Sequence, residues 1–533
     1  MHSNGTSPGD KHLHTTMGQI YTGRPTRREA AEIRRGAATA PSGDTIVALA
    51  TPPGVSALAV IRISGPDAAR LLGVLTSQAT AVNPVLSVSA DTEEAAAPSA
   101  AESGAAPVRK PWPAQRVRHV TLRHKGRLLD DVVAVMWLRP HSPTGEDVAE
   151  ISCHGNPLII KNIVTALLEL GARAAEPGEF TQRAFLNGRM DLTQAEAVLD
   201  LIHAGTERAL TGARAMKEGR LGRRMQEMRT ALIDLLAHLE AYIDFPEEDI
   251  APDTGDHFFS RIALARSEIR SLLATAPLGR VLREGALIAI VGAPNAGKSS
   301  LLNALLRENR AIISPTPGTT RDYLESECNI GGIAVRLVDT AGDRDTVDPV
   351  EAEGVRRARE IAAKADVILH VVEAHLPADG QGGAADGGAA VRLSAADFPH
   401  AKAYIRVANK ADLGRHPSHE AAAAGDTGTT TLYISATSGE GLPALESAIE
   451  QALGAAKPDD DQGWLTVNAR QEAALARADA ALQEAEAAMR EGAPPELVSV
   501  DLRGALHAIG EVVGLATTED ILDRLFKNFC IGK

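Results

Sequence analysis

The sequence predicts a multidomain α/β chain: an N-terminal α+β domain, a helical bundle, and a P-loop domain with a mostly parallel sheet inserted into that bundle. Three observations predict it. A phosphate-loop motif at 292–299 sits between an apolar strand-like run and a helical pattern, and further nucleotide motifs close later apolar runs. Amphipathic stripes of similar character lie on both sides of this core, at 192–242 and 468–490. The stretch before them is rich in strand-like segments. At 533 residues the chain has room for three or four domains, each able to bury its own core.

Taken in order, residues 1–43 mix His, Gly, Ser and Arg without apolar periodicity and read as a disordered extension. A targeting presequence is the alternative, since Arg is frequent, although Asp10, Glu29 and Glu32 interrupt it. Residues 44–188 form the strand-rich domain, and 77–113, rich in Ala, Ser, Pro and Glu, reads as a flexible insertion within it. From 189 to 283 the pattern is helical, with stripes such as Ala197-Val198-Leu201-Ile202 and Leu232-Leu235-Leu236-Leu239. The P-loop domain spans 284–454, with a second Gly/Ala/Asp-rich insertion at 374–396. The last stripe is too poor in bulky side chains to stand alone, so 455–533 is expected to complete one bundle with 189–283. The P-loop domain would then pull on two tethers when it moves.

The run Gly292-Ala293-Pro294-Asn295-Ala296-Gly297-Lys298-Ser299 matches G-x-x-x-x-G-K-[ST] without a mismatch. Gly292 and Gly297 let the backbone curl so that its N–H groups and the helix N-terminus face phosphate oxygens. Lys298 supplies a point charge to the outer phosphates, and the Ser299 hydroxyl is placed for Mg²⁺. An ordinary glycine turn before a core helix would explain this loop alone. It does not explain Gly318-Thr319-Thr320, then Asp339-Thr340-Ala341-Gly342, Asn409-Lys410-Ala411-Asp412 and Ser435-Ala436-Thr437, in that order, the last three at the ends of strand-like runs. Thr320 is expected as the second Mg²⁺ ligand, Asp339 as a metal partner through water, and the Gly342 amide as a donor to the terminal phosphate. Asp412 discriminates the base, because a carboxylate accepts from both N1–H and the exocyclic amine of guanine, whereas adenine offers neither donor there. The expected nucleotide is GTP, held by residues 295–300 (Asn295 through Ser300), 314–320, 339–342, 409–412 and 435–437. The domain is expected to be Ras-like, and the motif order excludes a circular permutation.

Composition narrows the rest. No apolar run approaches the ~18 residues a membrane span requires, so a soluble, cytoplasmic protein is expected. Cys153, Cys328 and Cys530 are far apart and show no C-x-x-C spacing, which argues for a reducing compartment and against structural zinc. Cys153 and His154 are neighbours on a strand-like run, so their side chains should point to opposite faces, and core packing is the expectation for Cys153. The net charge of −14 and 3% aromatic content lack the footprint of a general nucleic-acid binder. Any RNA contact must be local or shared with a partner.

Outside these motifs stand Asp44-Thr45-Ile46-Val47-Ala48 with Thr51-Pro52-Pro53-Gly54, then Thr144-Gly145-Glu146-Asp147, and Pro177-Gly178-Glu179-Phe180-Thr181-Gln182-Arg183-Ala184-Phe185-Leu186-Asn187-Gly188. Phe245-Pro246-Glu247-Glu248-Asp249 follows, and the chain ends Phe529-Cys530-Ile531-Gly532-Lys533. With the nucleotide motifs these resemble the TrmE (MnmE) family of tRNA modification GTPases, from Asp44 to the C-terminus. The N-terminal extension and the two insertions fall outside the resemblance.

The resemblance implies that GTP hydrolysis serves a modification reaction. Together with a flavin-containing partner (MnmG/GidA type, in a heterotetramer, FAD on the partner only), such enzymes build an aminomethyl or carboxymethylaminomethyl group on carbon 5 of the wobble uridine of certain tRNAs. The one-carbon donor is a 5-formyl- or 5,10-methylene-tetrahydrofolate, making 44–188 a folate-binding and dimerisation domain. The folate positions carried over are Arg62, Glu150, Arg189 and Lys533, with Arg189 standing where some members have Lys. Cys530 is implied near the folate, as a chemical group or as a small core residue. A potassium ion is implied beside the phosphates, with Asn295 as side-chain ligand and the loop of Ser314, Pro315, Thr316, Pro317, Gly318 and Thr319 supplying carbonyls from Ser314, Thr316 and Thr319. A homodimer is implied, with Glu351 orienting the attacking water. Asp343 stands where the family usually has an apolar residue; solvent-facing is its expected state, because a carboxylate near the terminal phosphate is repelled. The rival reading is a regulatory GTPase switch that binds RNA without modifying it.

Overall fold

A computed structural model describes residues 43–77, 115–244, 256–308, 325–339, 360–377, 394–419, 430–454 and 465–533. The chain forms two compact units, 1–195 with 514–533 and 196–513. In the first, β1 (Ile46–Leu49), β2 (Ser56–Ser64), β3 (Arg118–His124), β4 (Arg127–Trp137), β5 (Val148–Gly155) and β6 (Arg173–Ala174) make a sheet in the order β3-β4-β5-β2-β1-β6. All its pairings are antiparallel except β1 with β6. The inward residues of β2, Ile61 and Ile63, and of β5, Ala149, Ile151 and Cys153, pack with Leu71, Leu72 and Leu75 of α1 (Ala68–Ser77) and Ile163 and Leu167 of α2 (Pro157–Glu169). Period-two alternation thus leaves Arg62, Glu150 and His154 on the other face. Helix α2 starts sharply because Asn156 accepts from the Leu158 N–H at 2.8 Å and Pro157 cannot extend the helix backwards.

The second unit contains the bundle and the P-loop sheet. The bundle is built from α4 (Leu192–His203, from 196 onward), α5 (Glu207–Lys217), α6 (Arg220–Asp244), α7 (Asp256–Leu273), α8 (Ala276–Glu284), α11 (Ala469–Arg490) and α12 (Pro495–Val513). Small residues on α11, Ala474, Ala478 and Ala485, are buried with Leu475 and Leu482, so α12 and α7 approach closely. Polar staples fix the register: Arg470 Nε donates to Glu196 at 2.7 Å, Arg266 Nε to Asp479 at 2.9 Å, and Arg503 Nη2 to Glu240 at 2.7 Å. The partner expected for the alanine-rich helix therefore comes from both sides of the inserted domain. Residues 514–533, the end of the expected 455–533 helical segment, group with 1–195. Helix α13 (Glu519–Phe526) and the terminal residues pack instead on the first unit, through Gly178 against Phe526 and Phe529.

In the P-loop sheet, β7 (Ala286–Val291) sits between β9 (Ile333–Asp339) and β10 (Val367–Glu373), in the order β12-β11-β10-β7-β9-β8. The remaining strands are β8 (Glu325–Ile330), β11 (Ala403–Asn409) and β12 (Thr430–Tyr433); only the β8–β9 pairing is antiparallel. Strand β7 is central and covered on both faces, which is why it reads as an unbroken apolar run rather than an alternating one. Helices α9 (Lys298–Glu308) and α10 (Leu442–Ala452) flank it. At the edges of the expected 374–396 insertion, Ala374 is buried and donates its N–H to the Asn409 carbonyl at 2.7 Å, and Ala395–Asp397 form an exposed 3-10 turn. Among the described residues no helix is long and apolar enough to cross a membrane.

Candidate functional site

The phosphate loop runs from the end of β7 into α9. Gly292 and Gly297 take φ of 145° and 95°; a Cβ at the first would strike the Val371 carbonyl, and at the second the side-chain amide of Asn409. Both glycines are therefore required by contact as well as by curvature. Asn295 stands between them at a left-handed φ of 67° with its side chain exposed. Ala296 is buried. Lys298, only 6% exposed, donates from Nζ to the carbonyls of Gly292 and Ala293 at 2.8 and 2.9 Å, so its ammonium is held at the mouth of the loop. Ser299 and Ser300 are exposed at the N-terminus of α9.

The Ser299 hydroxyl donates to Asp339 Oδ2 at 2.9 Å. Asp339 Oδ1 is buried and has no hydrogen-bond partner among the described residues. A hydroxyl and a carboxylate with an unused buried oxygen are a hard, oxygen-only donor set, which fits Mg²⁺. Parallel pairing of β7 with β9, with Ile290 opposite Asp339, brings the two motifs together.

Asn409 does something that its sequence position did not announce. Its side chain, 2% exposed, donates from Nδ2 to the Ala296 carbonyl at 3.1 Å and accepts the Ala436 N–H on Oδ1 at 3.1 Å. It ties the phosphate loop to the loop after β12. Lys410 takes a left-handed φ of 61° and pairs with Glu373 at 2.9 Å, while the Ala411 N–H donates to the Ile434 carbonyl at 3.0 Å. Asp412 is thereby presented to solvent beside Ser435, Ala436 and Thr437, whose turn is closed by a Ser435–Thr437 hydroxyl contact of 3.1 Å. Asn409→Ala leaves a buried carbonyl and N–H unpaired, so a loss of about 1 to 3 kcal/mol of stability is expected. Denaturant unfolding checks this, and GTP affinity should fall with it.

Other residues expected at the nucleotide site, Ser314, Pro315, Thr316, Pro317, Gly318, Thr319, Thr320, Thr340, Ala341, Gly342 and Glu351, lie outside the described residues, as do Asp343 and the run from Phe245 to Asp249.

A second polar site lies in the first unit. Arg62 and Glu150 are direct cross-strand partners on β2 and β5, joined by Arg62 Nε to Glu150 Oε1 at 2.8 Å. Arg62 also donates from Nη1 to the Gly532 carbonyl at 3.3 Å and lies 5.6 Å from the centre of the Phe180 ring. The chain end reaches this spot because Ile531 bridges Pro177 and the Gly178 N–H donates to the Cys530 carbonyl at 3.4 Å. Gly532, at φ 95°, lies too close to the Leu49 carbonyl for any side chain. Three of the four positions expected to bind folate, Arg62, Glu150 and Lys533 next to Gly532, thus share one region. Arg189 is exposed and is placed by its N–H to Ala184 and its packing against Gly145.

The 177–188 run explains itself here. Arg183, on α3 (Glu179–Leu186) and 9% exposed, reaches Asp44 and Glu179 at 2.7 and 2.8 Å and Glu146 at 3.1 Å. Burial raises the Glu179 carboxyl, but hydrogen bonds from Arg173, the Glu176 N–H and Arg183 outweigh it and hold the group below its usual range. Phe180 beneath Arg62 was in the quoted run but carried no signal of its role beyond being apolar.

Cys530 is exposed. Cys153 is buried, with its thiol pushed up to about 11 by desolvation, and the His154 side chain points to the opposite face, 66% exposed and 2.8 Å from Asp130. The expected core role of Cys153 holds. Burial also pushes the Cys328 thiol up, to about 12.

Comparison with known proteins agrees with this geometry. A family model described as "MnmE helical domain" matches residues 192–530, and "GTP-binding protein TrmE N-terminus" matches 45–189. Proteins named tRNA modification GTPase MnmE are similar over 92% of the chain. That of Symbiobacterium thermophilum is 41% identical, covering 92% of this chain and 99% of its own, and that of Akkermansia muciniphila is 39% identical with the same coverages. Among solved structures, Aquifex aeolicus Era bound to GDP and aluminium fluoride is 29% identical over 37% of this chain and 66% of that one, with a TM-score of 0.24. The Thermotoga maritima FeoB G domain is 21% identical over 31% of this chain and 98% of that one, at 0.23. Those two scores carry no argument; the family model over more than half the chain and the near-full-length relatives do. The chain, a GTP hydrolase with a P-loop domain set in a helical one, belongs to the tRNA modification GTPase MnmE family.

Proposed function

We propose that this chain couples GTP hydrolysis to construction of an aminomethyl or carboxymethylaminomethyl group on carbon 5 of the wobble uridine of certain tRNAs, with a flavin-containing partner and a tetrahydrofolate one-carbon donor. The observation that carries this reading is the folded chain end: Gly532 seated on the Arg62–Glu150 pair beside Phe180. A bare switch gives no reason for the chain end to be seated on a cross-strand ion pair. Arg62, Arg189 and Lys533 suit the glutamate carboxylates of a folate, and Glu150 suits the donors of its ring. Bound folate would supply the one-carbon unit; these side chains bind and orient it. The chain acts as a homodimer in the cytoplasm. Nucleoside analysis of tRNA from cells lacking the chain should show the modified wobble uridine gone; its persistence would reject the reading.

Hydrolysis uses a potassium ion where related GTPases use an arginine finger. Asn295, exposed in the phosphate loop, would supply the side-chain oxygen, and Ser314, Thr316 and Thr319, outside the described residues, would supply backbone carbonyls. The ion would add positive charge at the phosphates when two P-loop domains meet. Glu351 orients the attacking water. GTP turnover is therefore expected to be markedly faster in potassium than in sodium at equal ionic strength, with most of it lost in Glu351→Ala while nucleotide binding stays. Equal rates in both salts would remove the ion.

A further inference from the structure

We propose that a cavity in the helical domain, walled by α4, α5 and α8, is a binding site for a small aliphatic amino acid. The cavity has a volume of about 180 Å³ and is lined by two opposite charges, Asp200 on α4 and Arg283 at the end of α8. Its walls are otherwise mostly apolar, with Leu199, Met216 and Leu282 around it and the exposed His203 at its edge. Helix α5 contributes Gly212 and Ala213, which are too short to fill the space. A void of this size between packed helices departs from the usual density of an interior.

The two charges are left short of partners. Asp200 makes no hydrogen bond and no ion pair among the described residues, with Arg283 or with any other group. Arg283 uses one N–H, from Nη2, on the Val467 carbonyl at 2.9 Å, and its other donors have no acceptor among the described residues. Desolvation pushes the Asp200 carboxyl up to about 6 and holds the Arg283 guanidinium below its usual range; attraction between the two does not offset it. Glu196 cannot serve Arg283, because Arg470 takes its two carboxylate oxygens at 2.7 and 2.9 Å and Gln471 Nε2 donates to it at 2.6 Å. Glu284 is exposed to solvent. A buried charge without a hydrogen-bond partner is costly, and here two of opposite sign line one space.

That pairing selects the ligand. An anion alone would answer Arg283 but meet the Asp200 carboxylate, and a cation alone would meet the guanidinium. A molecule carrying both a carboxylate and an ammonium answers each with charge-assisted hydrogen bonds. The apolar walls call for an aliphatic remainder. Size is bounded too: a cavity of about 150 Å³ holds a benzene-sized molecule, so roughly six to nine non-hydrogen atoms fit here. Valine has those features. The cavity also touches both crossings between the helical and P-loop domains, since Arg283 lies just before β7 and Thr466 just before α11. An occupant would therefore lie against both tethers.

Isothermal titration calorimetry on the full-length chain tests this with three probes of one shape: L-valine, isovalerate, which lacks the ammonium, and isobutylamine, which lacks the carboxylate. Valine should bind at a single site per chain with a Kd of about 1 mM or tighter. The other two should bind at least about tenfold more weakly, as the loss of a charge-assisted hydrogen bond predicts. Asp200→Asn should lower valine affinity about tenfold while leaving isovalerate unchanged or improved, which a merely structural role for Asp200 would not do. Ala213→Met, which fills the cavity without altering either charge, should weaken valine at least about tenfold as well. Circular dichroism and thermal unfolding report whether each variant is folded; if Ala213→Met is not, Asp200→Asn decides. Absence of saturable valine binding by the unaltered chain, as a cavity holding only water would give, overturns the proposal. So do equal affinities for the three probes, or valine affinity unchanged in Asp200→Asn. None of these outcomes bears on wobble-uridine modification, because no residue of the cavity belongs to the nucleotide site or to the folded chain end.

Discussion

Asp412→Asn is expected to exchange GTP for XTP. Asp412 stands on the turn Ala411–Leu413, locked by the Ala411 N–H to Ile434 and by the Lys410–Glu373 pair, so its carboxylate has a fixed place beside the Ser435 turn. In the proposed role that carboxylate would accept two hydrogen bonds from guanine. Asparagine presents an N–H where one acceptor stood, which opposes guanine and matches the extra carbonyl of xanthine. Two charge-assisted bonds at about 1.5 kcal/mol or more each set the loss of GTP affinity at about a hundredfold. Xanthosine nucleotide should bind the variant correspondingly better than it binds the unaltered chain. A variant that hydrolyses GTP with unchanged affinity would reject the base assignment.

Much of this site was legible because backbone geometry leaves so few residue choices. Gly292 and Gly297 must be glycine where Val371 and Asn409 press on the loop, and a motif of invariant geometry reads directly from one sequence. Strand β7 announced itself by an unbroken apolar run, as a strand covered on both faces must. What was not legible depends on contacts between residues far apart in sequence. The bridge from Asn409 to Ala296 and Ala436 spans three motifs, and no local pattern marks a side chain that serves as scaffold rather than ligand. The same holds for the chain end. An amphipathic stripe says that a helix needs a partner but not which one. Gly178, Phe526 and Phe529 decide it. Arg62 and Glu150 were reached separately through resemblance; cross-strand register makes them one ion pair.

Removing Cys530 to Lys533 should separate the two activities. The deletion takes away the Gly532 carbonyl that accepts from Arg62, the Ile531 bridge to Pro177, the exposed thiol and the terminal cation. It leaves 196–513 untouched, with every nucleotide motif in it. Basal GTP hydrolysis should survive, while binding of 5-formyltetrahydrofolate and modification of tRNA are lost. Arg62→Ala should act in the same direction, weakening folate binding by about 1.5 to 3 kcal/mol for each charge-assisted hydrogen bond removed. Part of that cost is structural, since Glu150 then stays half-buried without its cation.

The most direct measurement is mass spectrometry of tRNA nucleosides from cells whose only copy of the protein lacks Cys530 to Lys533, alongside GTP turnover by the purified variant. Coupling of hydrolysis to wobble-uridine chemistry through the folded chain end predicts near-complete loss of the modified uridine with turnover retained. Normal levels of the modified nucleoside in those cells would contradict it and favour a GTPase switch.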